Sequence, residues 1–215
     1  GNRVWKKTYD DNGKTEVLSD VVAISTGGEF LGVGVSTNFD DSWNVWMLKC
    51  DPQGNKLAEQ QFPCIHAGWH DPEVCRLEGG NFVVAYDKGG QGGVERATDY
   101  KVKCFNQSLE PLWEKQFVQP AQGVAEPLRI SAVPGGGFIV GTCGIDSATS
   151  VAPLKITEYD ENGNELNGLS IDTNDYYTDL SITATQGKGF AVLSVTTEAE
   201  ETKPKVKVIA FTLNQ

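Results

Sequence analysis

Apolar residues in this chain fall into short runs and period-two alternations, bounded every few positions by glycine, asparagine or proline. Period two marks half-buried strands, and no stretch repeats at helical spacing, so an all-β chain is expected. The most regular element is a glycine turn followed by Phe: Gly27-Gly28-Glu29-Phe30, Gly79-Gly80-Asn81-Phe82, Gly135-Gly136-Gly137-Phe138 and Gly187-Lys188-Gly189-Phe190. An apolar run such as Val21-Val22-Ala23-Ile24 enters the turn and one such as Phe82-Val83-Val84-Ala85 leaves it, as a tight hairpin requires. After a longer loop comes a strand alternating with lysine: Leu48-Lys49-Cys50, Val102-Lys103-Cys104, Leu154-Lys155-Ile156 and Val206-Lys207-Val208. Turns such as Asp51-Pro52-Gln53-Gly54-Asn55 and Asp160-Glu161-Asn162-Gly163-Asn164 then lead to fourth strands such as Leu112 to Phe117.

Four copies with this grammar predict a four-bladed β-propeller of four antiparallel strands per blade, in one domain. The repeats run over approximately 11–62, 63–117, 118–172 and 173–215, the last completed by residues 3–9. Closure rests on the two ends. Val4-Trp5-Lys6-Lys7-Thr8-Tyr9 matches Leu112 to Phe117 and reads as a fourth strand without its blade, whereas the last copy stops after a third strand. Aligning Tyr9-Asp10 with Tyr159-Asp160 instead leaves too few residues before Phe30 for a further strand.

The Trp-Lys-x-Tyr segment, glycine-turn Phe, lysine-bearing third strand and Asp-x-x-Gly-Asn turn together resemble the propeller-type repeats of exported proteins and lipoproteins of Bacteroides-like bacteria. The blade count is similar to that of hemopexin-like domains. This resemblance implies export, to the periplasm or cell surface and with a lipid anchor on a removed leader as one route, but no activity, because one fold serves many functions.

Composition narrows the partners. Across 215 residues, 18 basic and 29 acidic side chains give a net charge of -11, which repels nucleic acid and anionic membranes. No apolar stretch is long enough to span a bilayer as a helix. The five cysteines include no CxxC pair and read mainly as buried thiols. Cys50 and Cys104 are expected at equivalent places, and Cys64 and Cys75 are close enough to bridge a loop in an oxidising compartment.

Candidate chemistry falls on the longer loops 36–43, 86–99, 118–127 and 142–152, which propeller geometry gathers on one face. His70-Asp71 supplies a base and its orienter, although neighbours in an extended strand point apart. One acidic residue near the start of each first strand, Asp20, Asp71, Glu126 and Asp179, would surround the central channel and suit Ca²⁺ or another hard cation. Trp43, Trp69, Tyr100, Tyr176 and Tyr177, with His70 and Arg96, suit stacking and hydrogen bonding to a glycan or peptide; packing between blades is the plain alternative. The sequence therefore points to an exported, non-catalytic module that binds a glycan, peptide or protein partner. The alternatives are a carbohydrate-active hydrolase using His70, Asp71, Glu126 or Asp179, and a purely structural part of a surface complex.

Overall fold

A computed structural model describes residues 3–9, 15–37, 42–64, 71–87, 99–118, 125–144, 154–171, 176–196 and 205–212. Among the described residues the regular structure is entirely antiparallel sheet. Sheet 1 holds β1 (Glu16–Ala23), β2 (Phe30–Thr37), β3 (Trp43–Cys50) and β4 (Lys56–Cys64). Sheet 2 holds β5 (Glu73–Arg76), β6 (Phe82–Asp87), β7 (Asp99–Phe105) and β8 (Pro111–Val118), and sheet 3 holds β9 (Ala125–Ala132), β10 (Phe138–Gly144), β11 (Leu154–Tyr159) and β12 (Glu165–Ile171). Sheet 4 holds β13 (Tyr176–Thr185), β14 (Lys188–Thr196) and β15 (Lys205–Thr212). Within each sheet the strands lie in chain order, and the first strands β1, β5, β9 and β13 run beside one another as successive blades do. Among the described residues no helix is long and apolar enough to cross a membrane.

The glycine turns set the register. Gly28, Gly80 and Gly136 have φ of 88°, 88° and 117°, and each donates its N–H to the carbonyl that closes the turn, of Ser25, Leu77 and Val133. The Phe after the turn then pairs with Cys50, Phe105 and Tyr159 at the ends of β3, β7 and β11. Cys104 pairs with Val83 and so shares the place of Lys49, which pairs with Leu31. The expected equivalence of Cys50 and Cys104 is thus off by one residue, and a one-residue offset turns a strand side chain to the opposite face. Cys75 keeps a free thiol buried between sheets 2 and 3, so the Cys64–Cys75 bridge is not made.

Apolar layers fill the spaces between consecutive sheets. Val33, Met47 and Phe62 meet Val84, Tyr86 and Phe105 between sheets 1 and 2. Val83, Val102 and Cys104 meet Ile130, Phe138 and Tyr159 between sheets 2 and 3, and Ile139 and Ile156 meet Leu180 and Ile182 between sheets 3 and 4. Each large side chain buried here contributes about 1.5–3 kcal/mol.

The fourth strand of one sheet also rests on the β-turn of the next, with complementary volumes. Trp113 of β8 lies over Gly163, donates through Nε1 to the Glu161 carbonyl at 3.1 Å and stacks on Phe138 at 6.2 Å. At the corresponding place β4 carries the small Ala58, and the turn of sheet 2 carries the large Leu109 in the glycine slot, at φ 62°.

Residues 3–9 reproduce the first arrangement on sheet 1. Trp5 lies over Gly54, donates to the Pro52 carbonyl at 2.8 Å and stacks on Phe30 at 6.0 Å, while Lys7 reaches Asn55 as Lys115 reaches Asn164. The segment thus sits where a fourth strand preceding sheet 1 belongs. It forms no strand, however, and among the described residues sheet 4 has three strands rather than four, so the expected four-bladed closure is not seen. Side-chain anchors to the turn hold the segment in place without a backbone ladder to β15.

Candidate functional site

Among the candidate carboxylates, Asp20 pairs in register with Val33, three residues after the turn Phe. The same rank in the other sheets holds Glu73, Arg129 and Leu180. Asp71 is exposed just before β5, Glu126 lies in β9 beside its bulge, and Asp179 follows the bulge in β13; for Glu126 and Asp179 only the backbone is described. The rank forms a chain of polar links. Asp20 Oδ2 accepts from the Val74 N–H at 2.9 Å, Arg129 Nη1 lies 3.3 Å from Glu73 Oε1, and Arg129 Nε donates to the Leu180 carbonyl at 2.7 Å. A cation at the channel mouth would compete with the Val74 and Val21 amides for Asp20. No three His, Cys, Asp or Glu side chains gather as metal ligands among the described residues.

Trp69, His70 and Arg96 fall outside the described residues, and Tyr176 and Tyr177 open β13 with only their backbone described. Trp43 is half-buried and begins β3, opposite Thr37 and Cys64. Tyr100 lines a cavity.

That cavity, of about 370 Å³, lies between sheets 2 and 3. Tyr100, Phe117 and Tyr159 form its aromatic wall; Gln116, Thr142, Lys155, Thr157, Glu165 and Ser170 supply polar groups. Tyr100 stacks on Phe117 at 5.2 Å, Phe117 meets Tyr159 at 4.8 Å, and the two tyrosine hydroxyls are 3.2 Å apart. Burial pushes both phenols above the ordinary tyrosine pKa, so they stay neutral hydroxyls at physiological pH.

The neighbouring interface explains why there is space. Between sheets 1 and 2 the equivalent volume is filled by Tyr86, Lys103 and Glu114. Tyr86 OH donates to Glu114 at 3.2 Å, Lys103 pairs with Glu114 at 3.1 Å, and the Lys103 ammonium sits 4.7 Å from the centre of the Phe62 ring. Strand pairing puts Thr142 at the place of Tyr86, Thr157 at that of Lys103 and Gly168 at that of Glu114. Three large residues become three small ones, and the cleft is what remains. Sequence inspection for rare chemical groups passed over these threonines and this glycine; a position-by-position comparison of the copies would have found them.

No protein family model matches the chain, and no curated protein matches its sequence. Among solved structures it is similar to a GH43 β-1,3-galactosidase, with a TM-score of 0.53 and 12% identity over 95% of this chain and 50% of that one. The chain therefore spans about half the length of that enzyme. At this identity the likeness concerns the fold, and it agrees with sheets arranged as propeller blades.

Proposed function

We propose that the chain is an exported binding module, a four-bladed propeller closed by residues 3–9 pairing along β15, which takes a glycan into the cleft between sheets 2 and 3. The cleft carries this reading. Its volume lies within the range of small-ligand sites. Its wall joins aromatic rings to hydroxyl, amide and charged groups, the combination that suits a sugar with one apolar face and many hydroxyls. The matching Trp5 and Trp113 contacts support closure, since residues 3–9 already hold the side-chain position of a fourth strand.

The named activity of the structural neighbour supports a second reading, hydrolysis of a galactoside. Glycoside hydrolysis generally needs two carboxylates flanking the scissile bond. The described lining of the cleft supplies one, Glu165, so binding fits the geometry better.

Affinity electrophoresis in gels carrying neutral and acidic polysaccharides tests the reading, with a Thr142→Tyr/Thr157→Lys variant that refills the cleft as between sheets 1 and 2. Retardation of the native protein, lost in the variant without release of reducing sugar, is the expected result. Equal retardation of both proteins would place binding elsewhere, and reducing-sugar release abolished by Glu165→Gln would favour the hydrolase.

A further inference from the structure

Comparison of the two interfaces also identifies a charge that lacks its counterpart. In sheet 2 the Glu114 carboxylate is held by Lys101 at 2.7 Å, by Lys103 at 3.1 Å and by the Tyr86 hydroxyl at 3.2 Å. Lys101 pairs with Tyr86 in the ladder; its equivalent in sheet 3 is Lys155, which pairs with Thr142. Lys155 is half-buried and lines the cleft, but Gly168 stands where the carboxylate of Glu114 would originate. Among the described residues the Lys155 ammonium has no ion pair or hydrogen bond. The remaining charged group of the lining, Glu165, pairs with Tyr159 and turns its carboxylate back toward Gly168, where Oε1 lies 3.5 Å from a Cβ built on that glycine, but it makes no ion pair with Lys155.

Resting on the cleft being the binding site, we infer that it is specific for an acidic sugar, whose carboxylate takes beside Lys155 the place that Glu114 fills within the chain beside Lys101. Sheet 2 thus contains in covalent form the group that the cleft recruits from outside. The partly desolvated ammonium favours a carboxylate, because a charge-assisted hydrogen bond is stronger than a neutral one. Thr142, Thr157 and Ser170 offer hydroxyls around the ammonium, and Glu165, whose carboxylate lies near Gly168, accepts sugar hydroxyl donors. The chain's net charge of -11 disfavours a polyanion, so the fitting ligand carries an isolated uronate within an otherwise neutral glycan.

Gly168 allows a direct test. A Cβ built there meets Glu165 Oε1 at 3.5 Å, ordinary contact, so Gly168→Glu restores the internal carboxylate without backbone strain. The probes are an aldobiouronic acid, a disaccharide with one uronate, and the same disaccharide after carboxyl reduction, titrated calorimetrically into the native protein, Lys155→Met and Gly168→Glu. The native protein should bind the acid at least about tenfold more tightly than the reduced sugar. Lys155→Met should erase that preference while retaining the reduced sugar, and Gly168→Glu should bind neither. Equal affinity of the native protein for both sugars overturns the charge inference and leaves the cleft reading standing. Binding undiminished in Gly168→Glu overturns the cleft reading itself, and failure of the native protein to bind the acid overturns the inference outright.

Discussion

Trp5→Ala measures how far the segment before the first sheet belongs to the fold. The indole is 38% exposed, so it buries roughly three fifths of a side chain that hides up to about 250 Å² when fully enclosed. About 150 Å² at 25 cal/mol per Å² comes to about 4 kcal/mol, and allowance for a compact denatured chain lowers this to about 2.5–3.5. The hydrogen bond to Pro52 adds little, because water replaces it at this exposed site, and the alanine retains the first carbon of the contact. The expected loss is therefore about 2–3 kcal/mol, or a fall in Tm of about 4–12 °C for a chain of this length. Urea unfolding followed by tryptophan fluorescence and circular dichroism reads this as a lower midpoint at unchanged slope. Trp113→Ala, at the equivalent contact on Gly163, serves as the internal standard. A loss below about 0.5 kcal/mol for Trp5→Ala, within the range of ordinary surface changes, would show that residues 3–9 are not an integral element and would remove the support for closure.

The exchange of Trp-on-Gly for Ala-on-Leu predicts compensation: Ala58→Trp and Leu109→Gly should each destabilise, the first by about 1–3 kcal/mol through overpacking, while the double variant regains more than about 1 kcal/mol relative to additivity in a double-mutant cycle. Gly34→Ala should prevent folding or cost more than about 3 kcal/mol, because its Cβ would collide with the Val17 carbonyl oxygen at the β1 bulge; soluble yield and thermal unfolding report this. The hydrogen bonds from Lys101 and Lys103 hold the Glu114 carboxyl below its usual pKa, so its contribution is present above about pH 4–5 and fades as pH falls through the lowered value. Acid titration of stability should accordingly show Glu114→Gln weaker than the native protein at pH 7, with the difference shrinking below about pH 4. At the other extreme, burial pushes the Tyr9 phenol up to about 12, so stability should fall as pH rises from about 10 toward 12, and Tyr9→Phe should lessen that fall.

The repeat was legible in the sequence because its markers answer to backbone demands. A glycine at positive φ followed by a Phe, fully buried at Phe82 and Phe138 and half-buried at Phe30, recurs in the chain as it does in the sheets, and the lysine alternation marks a strand with two unlike faces. Register was less legible, since Cys50 and Cys104 each follow a lysine and differ only in where the next turn begins. The channel carboxylates suffered in the same way: the first glycine turn, closed from Ile24 to Glu29, is one residue longer than those closed from Leu77 to Asn81 and Val133 to Gly137, so Asp20 ranks with Glu73 and Arg129. The cleft was hidden for a different reason. It is made by what sheet 3 omits, and a threonine or glycine in a strand announces nothing until the filled interface at Tyr86, Lys103 and Glu114 is laid beside it.

The most direct test of the account is a crystal structure of the native protein with the aldobiouronic acid bound. The account predicts sugar density between sheets 2 and 3, with a ring against Phe117 and its carboxylate on Lys155 Nζ. Sugar bound elsewhere on the molecule, with the cleft holding only solvent, would contradict it.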